Sequence, residues 1–276
     1  MDKDWQYRVK DIIITVVAVL LIFSSVLLAL YLYAGVWPPL SIVESSSMQH
    51  SDERSQLGII DTGDLVIIQK CDVEELVSYV EGRQTGHYTF GDYGDVVIYR
   101  PFGDQDKKPI IHRLVLYLEP LSGDGGWWSA PALESYPSDL WHVDEGNASR
   151  MRGNLILYDY GYNAAELHQD LSSLEPHAGF ISCGDNNNLD GLAYPDQVKW
   201  GPSAKALIQE EWIIYKPVVE IPWVGSISLL LWGVNTDMIP LNSVIYTICV
   251  LAAVVIVPVT LDYLYSKIRP PKERSD

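Results

Sequence analysis

The chain has 276 residues, 19 Lys and Arg against 36 Asp and Glu, a formal net charge of −17, and 48% hydrophobic residues. That balance excludes a disordered chain, which lacks the apolar surface to fold, and excludes a surface that would coat nucleic acid. Ile12 to Val43 runs 32 residues without Asp, Glu, Lys or Arg, and Met238 to Leu261 another 24, which excludes an ordinary soluble protein.

Residues 1–11 read as a short tail carrying Lys3, Arg8 and Lys10. The run at 12–36 begins like a signal peptide, but it is far longer than the about 7–15 apolar residues of a cleavable one. It is therefore expected to stay as a transmembrane anchor. Residues 37–220 read as a β domain. Short runs rich in β-branched and aromatic residues, separated by Gly-Asp turns, predict strands at Leu65–Gln69, Val96–Tyr99, Ile110–Leu118, Leu155–Tyr160, Phe180–Cys183 and Trp212–Tyr215. Most lack clean alternation, which suits strands buried on both faces of a curled sheet. Inserts fall near 71–90, where Asp72–Glu81 reads as a short helix, and at 121–152, which reads as loop.

Residues 221–236 are uncharged and carry Trp223 and Trp232. They are expected to lie at a membrane interface; a greasy strand or loop of the outer domain is the alternative. A second transmembrane helix is expected at 238–262, despite Pro258, and a basic tail at 263–276 with Lys267, Arg269, Lys272 and Arg274. Basic residues at both ends put both tails in the cytoplasm and the middle outside the cell membrane. That middle holds 12 basic and 30 acidic residues, a net charge of −18.

Ser45-Ser46-Ser47-Met48 follows the first span closely. Three serines leaving a helix are by themselves a polar exit, since a lone serine needs a base within hydrogen-bond reach. Among six histidines, His112 is the one set inside an apolar strand, as Ile110-Ile111-His112-Arg113-Leu114. It is either a core histidine with satisfied nitrogens or a general base. An acid to orient it could come from Asp185, Asp190 or Asp196, although Gly184-Asp185-Asn186-Asn187 also reads as a plain turn. Cys71 and Cys183 could pair, the remaining Cys249 lying in the second apolar run. No Cys/His cluster has metal-ligand spacing, so neither metal nor cofactor is expected.

In this order the pieces resemble a type I signal peptidase of the branch found in archaea and the endoplasmic reticulum, from the anchor to about Trp212. The matching boxes are Ser45–Met48, Gly63-Asp64-Leu65-Val66, Gly94-Asp95-Val96-Val97, His112-Arg113 and Gly184–Asn187. The resemblance implies a mainly β, antiparallel curled-sheet catalytic domain between two transmembrane helices. It implies Ser47 as nucleophile and His112 as general base, at the position where bacterial relatives carry lysine. The backbone N–H of Ser47, helped by the Ser45 hydroxyl, would meet the oxyanion. The family's second aspartate falls six residues after the first, which here is Gly191. Asp196 in Tyr-Pro-Asp-Gln is therefore the expected orienter, Asp190 the fallback and Asp185 a supporting residue. His50 replaces the usual proline two residues after Met48 and stands as a rival base.

The implied activity is serine endopeptidase cleavage of signal peptides after small residues, on the outer face. Its partners would be preproteins, the lipid bilayer and unknown partner subunits, with no nucleic acid. The alternatives are a membrane-anchored, non-catalytic β module that binds peptides or partners, and a dedicated processing peptidase for one surface protein.

Overall fold

The computed structural model describes residues 3–122, 126–199 and 206–268. A helix, α1 (Lys3–Ala34), leads into a β domain and a second long helix, α5 (Leu241–Ile268), follows it. The strands are β1 (Leu40–Ile42), β2 (Leu65–Gln69), β3 (Tyr88–Thr89), β4 (Asp92–Tyr93), β5 (Val96–Tyr99), β6 (Ile110–Pro120), β7 (Trp128–Ser129), β8 (Trp141–Asn147), β9 (Arg150–Tyr160), β10 (Ala165–Asp170), β11 (Gly179–Cys183), β12 (Asn188–Leu189), β13 (Leu192–Ala193) and β14 (Ile213–Ile221). Two short α-helices, α2 (Tyr79–Thr85) and α3 (Asp196–Lys199), sit between strands, and a third, α4 (Ser226–Trp232), lies between β14 and α5.

The stretches Ile12–Ala34 and Leu241–Tyr265 are each long and apolar enough to cross a membrane, and their side chains are almost wholly uncovered. Neither helix hangs on a free linker. The helix α1 ends before Pro38 and Pro39, and its last turn is tied to β2: Lys70 N–H donates to Ala34 O at 2.9 Å and Gln69 Nε2 to Tyr33 O at 3.0 Å. At the N-terminal end of α5, Asn242 exchanges two hydrogen bonds with the backbone of Ser55, both 2.9 Å.

The strands form one large sheet in the order β1-β2-β14-β5-β6-β7-β9-β10-β13-β12, with β11 paired to β6 and β8 to β9, beside the small β3-β4 pair. Two features correct the expected antiparallel curled sheet. The strand path runs open from β1 to β12 without closing on itself, and β13 pairs parallel to β10. The parallel pair arises because the tight Asp190–Gly191 turn brings β13 back from β12 in the direction of β10. In β14, Pro217 has no N–H to give, and the pairing with β2 shifts register there.

The expected strand cores are all present, but 121–152 is not loop: it holds β7, β8 and the start of β9, with Trp128 buried among Leu133, Met151 and Leu155. The helix in the first insert begins at Tyr79, where Ser78 and Glu81 form a reciprocal capping box. The expected tail 1–11 is mostly taken up by α1, and Arg269, Lys272 and Arg274 lie outside the described residues. Cys71 and Cys183 carry free thiols in different apolar clusters.

The insert between Met48 and Gly63 is held by buried and half-buried acids against β14 and the chain just after it. Asp64 accepts from the N–H of Asp61 and of Trp223, both at 2.8 Å, and Glu220 accepts from Gly58 N–H at 2.6 Å. Burial pushes Asp61 up to about 6, Asp64 to about 7 and Glu220 to about 8. Each folded-state value lies above its unfolded value, so the folded protein holds these protons more tightly. Their contribution is full at pH below about 4 and is lost as pH rises through about 6 to 8. The melting temperature is expected to fall by several degrees across that window, and Glu220→Gln with Asp64→Asn to flatten the fall. An equally steep fall in the double variant would contradict this.

Candidate active site

The Ser45–Met48 segment leaves β1 and turns at Ser46, whose carbonyl accepts from Gln49 N–H at 3.1 Å. Met48 anchors the turn: it is buried with Val43, Ile60, Val66 and Ile98, which stabilises the segment by about 1.5–3 kcal/mol. The second box locks the same segment by two backbone bonds, Gly63 N–H to Val43 O and Val43 N–H to Asp64 O, each 3.0 Å. Gly63 has φ +94°, and a Cβ there would strike Ser226 Oγ, so no other residue fits.

His112 faces Val97 across the β5–β6 pair, with its side chain buried. Its Nε2 lies 3.0 Å from Ser47 Oγ and its Nδ1 2.7 Å from Asp196 Oδ2. A carboxylate only accepts, so Nδ1 carries the proton and donates to Asp196. Nε2 is left with a lone pair, to which the Ser47 hydroxyl donates. Asp196 opens α3, is 1% exposed, and accepts on the same Oδ2 from Tyr99 OH at 2.7 Å and from Ser182 Oγ. Ser45 Oγ is 3.2 Å from Ser47 Oγ.

The Gly184–Asn187 box supports the Ser47 segment. Asn186 N–H donates to Ser47 O at 2.8 Å. A Cβ on Gly184 would come within 2.6 Å of that carbonyl and 2.8 Å of His112 Nε2, so glycine alone lets the chain pass.

The structure therefore brings Ser47, Ser45, His112 and Asp196 together, and leaves two expected residues elsewhere. Asp190 sits at the exposed tip of the β12–β13 turn, with φ +52°, where a short polar side chain is tolerated. Asp185 holds Arg113 instead, through Nε at 2.8 Å and Nη2 at 2.7 Å, and accepts from His50 Nε2 at 3.1 Å. Burial alone would raise the Asp185 carboxyl, but the Arg113 charge and hydrogen bonds, with His50, hold it below its ordinary value. His50, the rival base, is thus engaged with Asp185 and stacks on Tyr162 at 3.8 Å.

A cleft of about 600 Å³ opens at Ser47. One wall is Ser41–Glu44, the other Lys108–Ile111, with Val66 and Ile98 between. Among the described residues β1 pairs with β2 alone, so its other edge is free for a further strand. Glu44 and Lys108 meet across the mouth at 3.2 Å, and Asn235 Nδ2 donates to Glu44 O at 2.7 Å. Among the described residues no three His, Cys, Asp or Glu side chains gather as metal ligands.

Tyr99, Ser182 and Asn235 were not singled out from the sequence. Strand parity carried a signal for the first two. Val97 and Tyr99 share a face of β5 with His112, and Ser182 lies opposite Leu114, two residues from His112 on the same face. Compared with protein-family models and with curated proteins, the chain gives no match.

Proposed function

We propose that the chain is a membrane-bound serine endopeptidase of the signal-peptidase type, which removes N-terminal signal peptides from exported proteins by cutting after small residues. The observation that carries this reading is the Ser47–His112–Asp196 relay at the head of a cleft with a free strand edge. The substrate enters as an extended strand beside β1, its backbone supplying the hydrogen bonds. As Ser47 Oγ attacks the scissile carbonyl, His112 Nε2 takes its proton, and Asp196 stabilises the imidazolium that results. Ser47 N–H and the Ser45 hydroxyl meet the oxyanion. His112 then gives the proton to the departing amine. Water, deprotonated by the same imidazole, hydrolyses the acyl-serine and restores the enzyme.

Placement supports the reading. With α1 and α5 spanning the bilayer and both tails in the cytoplasm, the site stands on the outer face, where a signal peptide's small-residue cleavage site emerges from the lipid. Leu231 and Trp232 of α4 are 77% and 80% exposed next to the cleft's Asn235, a surface suited to the lipid interface.

The test is cleavage of a panel of unrelated preproteins by purified, detergent-solubilised protein. Asp196→Asn is expected to lower the turnover rate by about 10³–10⁴-fold by leaving the wrong imidazole tautomer, whereas Asp190→Ala changes it by less than about twofold. A folded wild type that cuts none of the panel would sink the proposal.

A further inference from the structure

Resting on that reading, we infer that Tyr99 and Ser182 are positioning residues which act through Asp196 to set the orientation of His112. Three donors converge on one carboxylate oxygen: His112 Nδ1–H, the Tyr99 phenol and the Ser182 hydroxyl all meet Asp196 Oδ2. They come from three neighbouring strands, β5, β6 and β11, and all four side chains are buried. A carboxylate held by one imidazole could turn about its terminal torsion and offer either oxygen. Two hydroxyls fixed by strands remove that freedom and aim Oδ2 at Nδ1. The Nδ1–H tautomer is then enforced, and the Nε2 lone pair points at Ser47.

The two hydroxyls also replace water around a buried charge. Asp196 is 1% exposed, and an ionised carboxylate at that depth is stable only when its lone pairs are taken up. Burial, then the neighbouring Asp196 charge, pushes the Tyr99 phenol well above its ordinary value, so it stays a donor throughout the range in which an imidazole base works. Ser182 lies two residues before Gly184, whose own backbone passes against Ser47 and His112. One strand end therefore delivers both the hydroxyl that fixes the acid and the glycine that admits the base.

The experiment is single-turnover preprotein cleavage by the full-length solubilised protein, reporting maximal rate and half-saturating concentration separately. The variants are Tyr99→Phe, Ser182→Ala and the two combined, with Ser182→Thr as the conservative control. Each single variant is expected to lower the maximal rate about tenfold or more, because each removes a hydrogen bond to a charged acceptor, while half-saturation stays within about twofold. Ser182→Thr should keep most of the rate.

The downfield proton resonance of the His112–Asp196 hydrogen bond is the second readout, and a residue needed only for packing would not move it. It should shift or broaden in Tyr99→Phe while the melting temperature is kept. Unchanged rates in both single variants, a loss confined to half-saturation, or an unmoved resonance would overturn the inference. Where Ser182→Ala fails to fold, Tyr99→Phe decides alone. A wild type that cuts no preprotein overturns the proposed function, and the resonance in Tyr99→Phe then still decides whether the phenol orients the pair.

Discussion

Ser47→Ala and His112→Ala are each expected to lower the maximal rate of preprotein cleavage by about 10³-fold or more, with the melting temperature little changed. In the proposed mechanism, alanine at 47 removes the attacking oxygen. Alanine at 112 leaves that oxygen without the imidazole that stands 3.0 Å away, the base of the proposed mechanism, and His50 cannot substitute because it is held by Asp185 and stacked on Tyr162. The double variant should lose no more than the worse single one, since the two groups act as a unit. Half-saturation should scarcely move, because the cleft walls at Ser41–Glu44 and Lys108–Ile111 are untouched. Full cleavage by Ser47→Ala would end the assignment.

Asp185→Ala is expected to act on stability rather than on the chemical step. Arg113 is fully buried, and besides Asp185 it donates to the carbonyls of Thr89, Phe90 and Gly94. Those neutral acceptors cannot balance the guanidinium charge. Removing the carboxylate takes away the cation's hydrogen-bonded counter-ion and leaves only the nearby Asp92 charge to offset it, at a cost of up to about 3–5 kcal/mol. The pair is also the bolt between the β3–β4 region and the Gly184–Asn187 turn beneath Ser47, so activity falls as the folded fraction falls. Denaturant titration and cleavage, measured on the same preparation, separate the two effects. An unchanged midpoint with lost cleavage would place Asp185 in the chemistry instead.

What could be read from the sequence was whatever depends on local pattern. Long uncharged runs gave α1 and α5, and dense β-branched runs gave β2, β5, β6 and β11 within a residue or two. His112 stood out as a histidine amid isoleucines, whereas Ser47 was separated from a plain polar exit only by the resemblance to signal peptidases. The 121–152 segment misled because β8 carries Asp144, Glu145 and Gly146, which look like loop; the strand exists because β9 pairs along it. The resemblance already favoured Asp196 over Asp185 and Asp190, and the contacts that separate the three are long-range. Asp185 is one residue from a glycine that touches the site, yet its side chain points to Arg113, while Asp196 reaches His112 only because α3 folds back onto β11. The sheet's open path and its parallel pair depend on long-range pairing, which no local window contains.

The joints where α1 and α5 meet the β domain have a mechanical consequence. A domain hung on a flexible leash samples a wide cone of orientations and must lose that freedom each time it engages a surface-bound substrate. Here the last turn of α1 is stitched to β2, and Asn242 of α5 is clasped to Ser55, so the body has two fixed hinges rather than a leash. In a bilayer such a body keeps one tilt and one elevation. On the proposed function, its search for substrate reduces to lateral diffusion in the plane of the sheet of lipid, and the orientational ordering that proximity catalysis demands is settled once, when the protein folds.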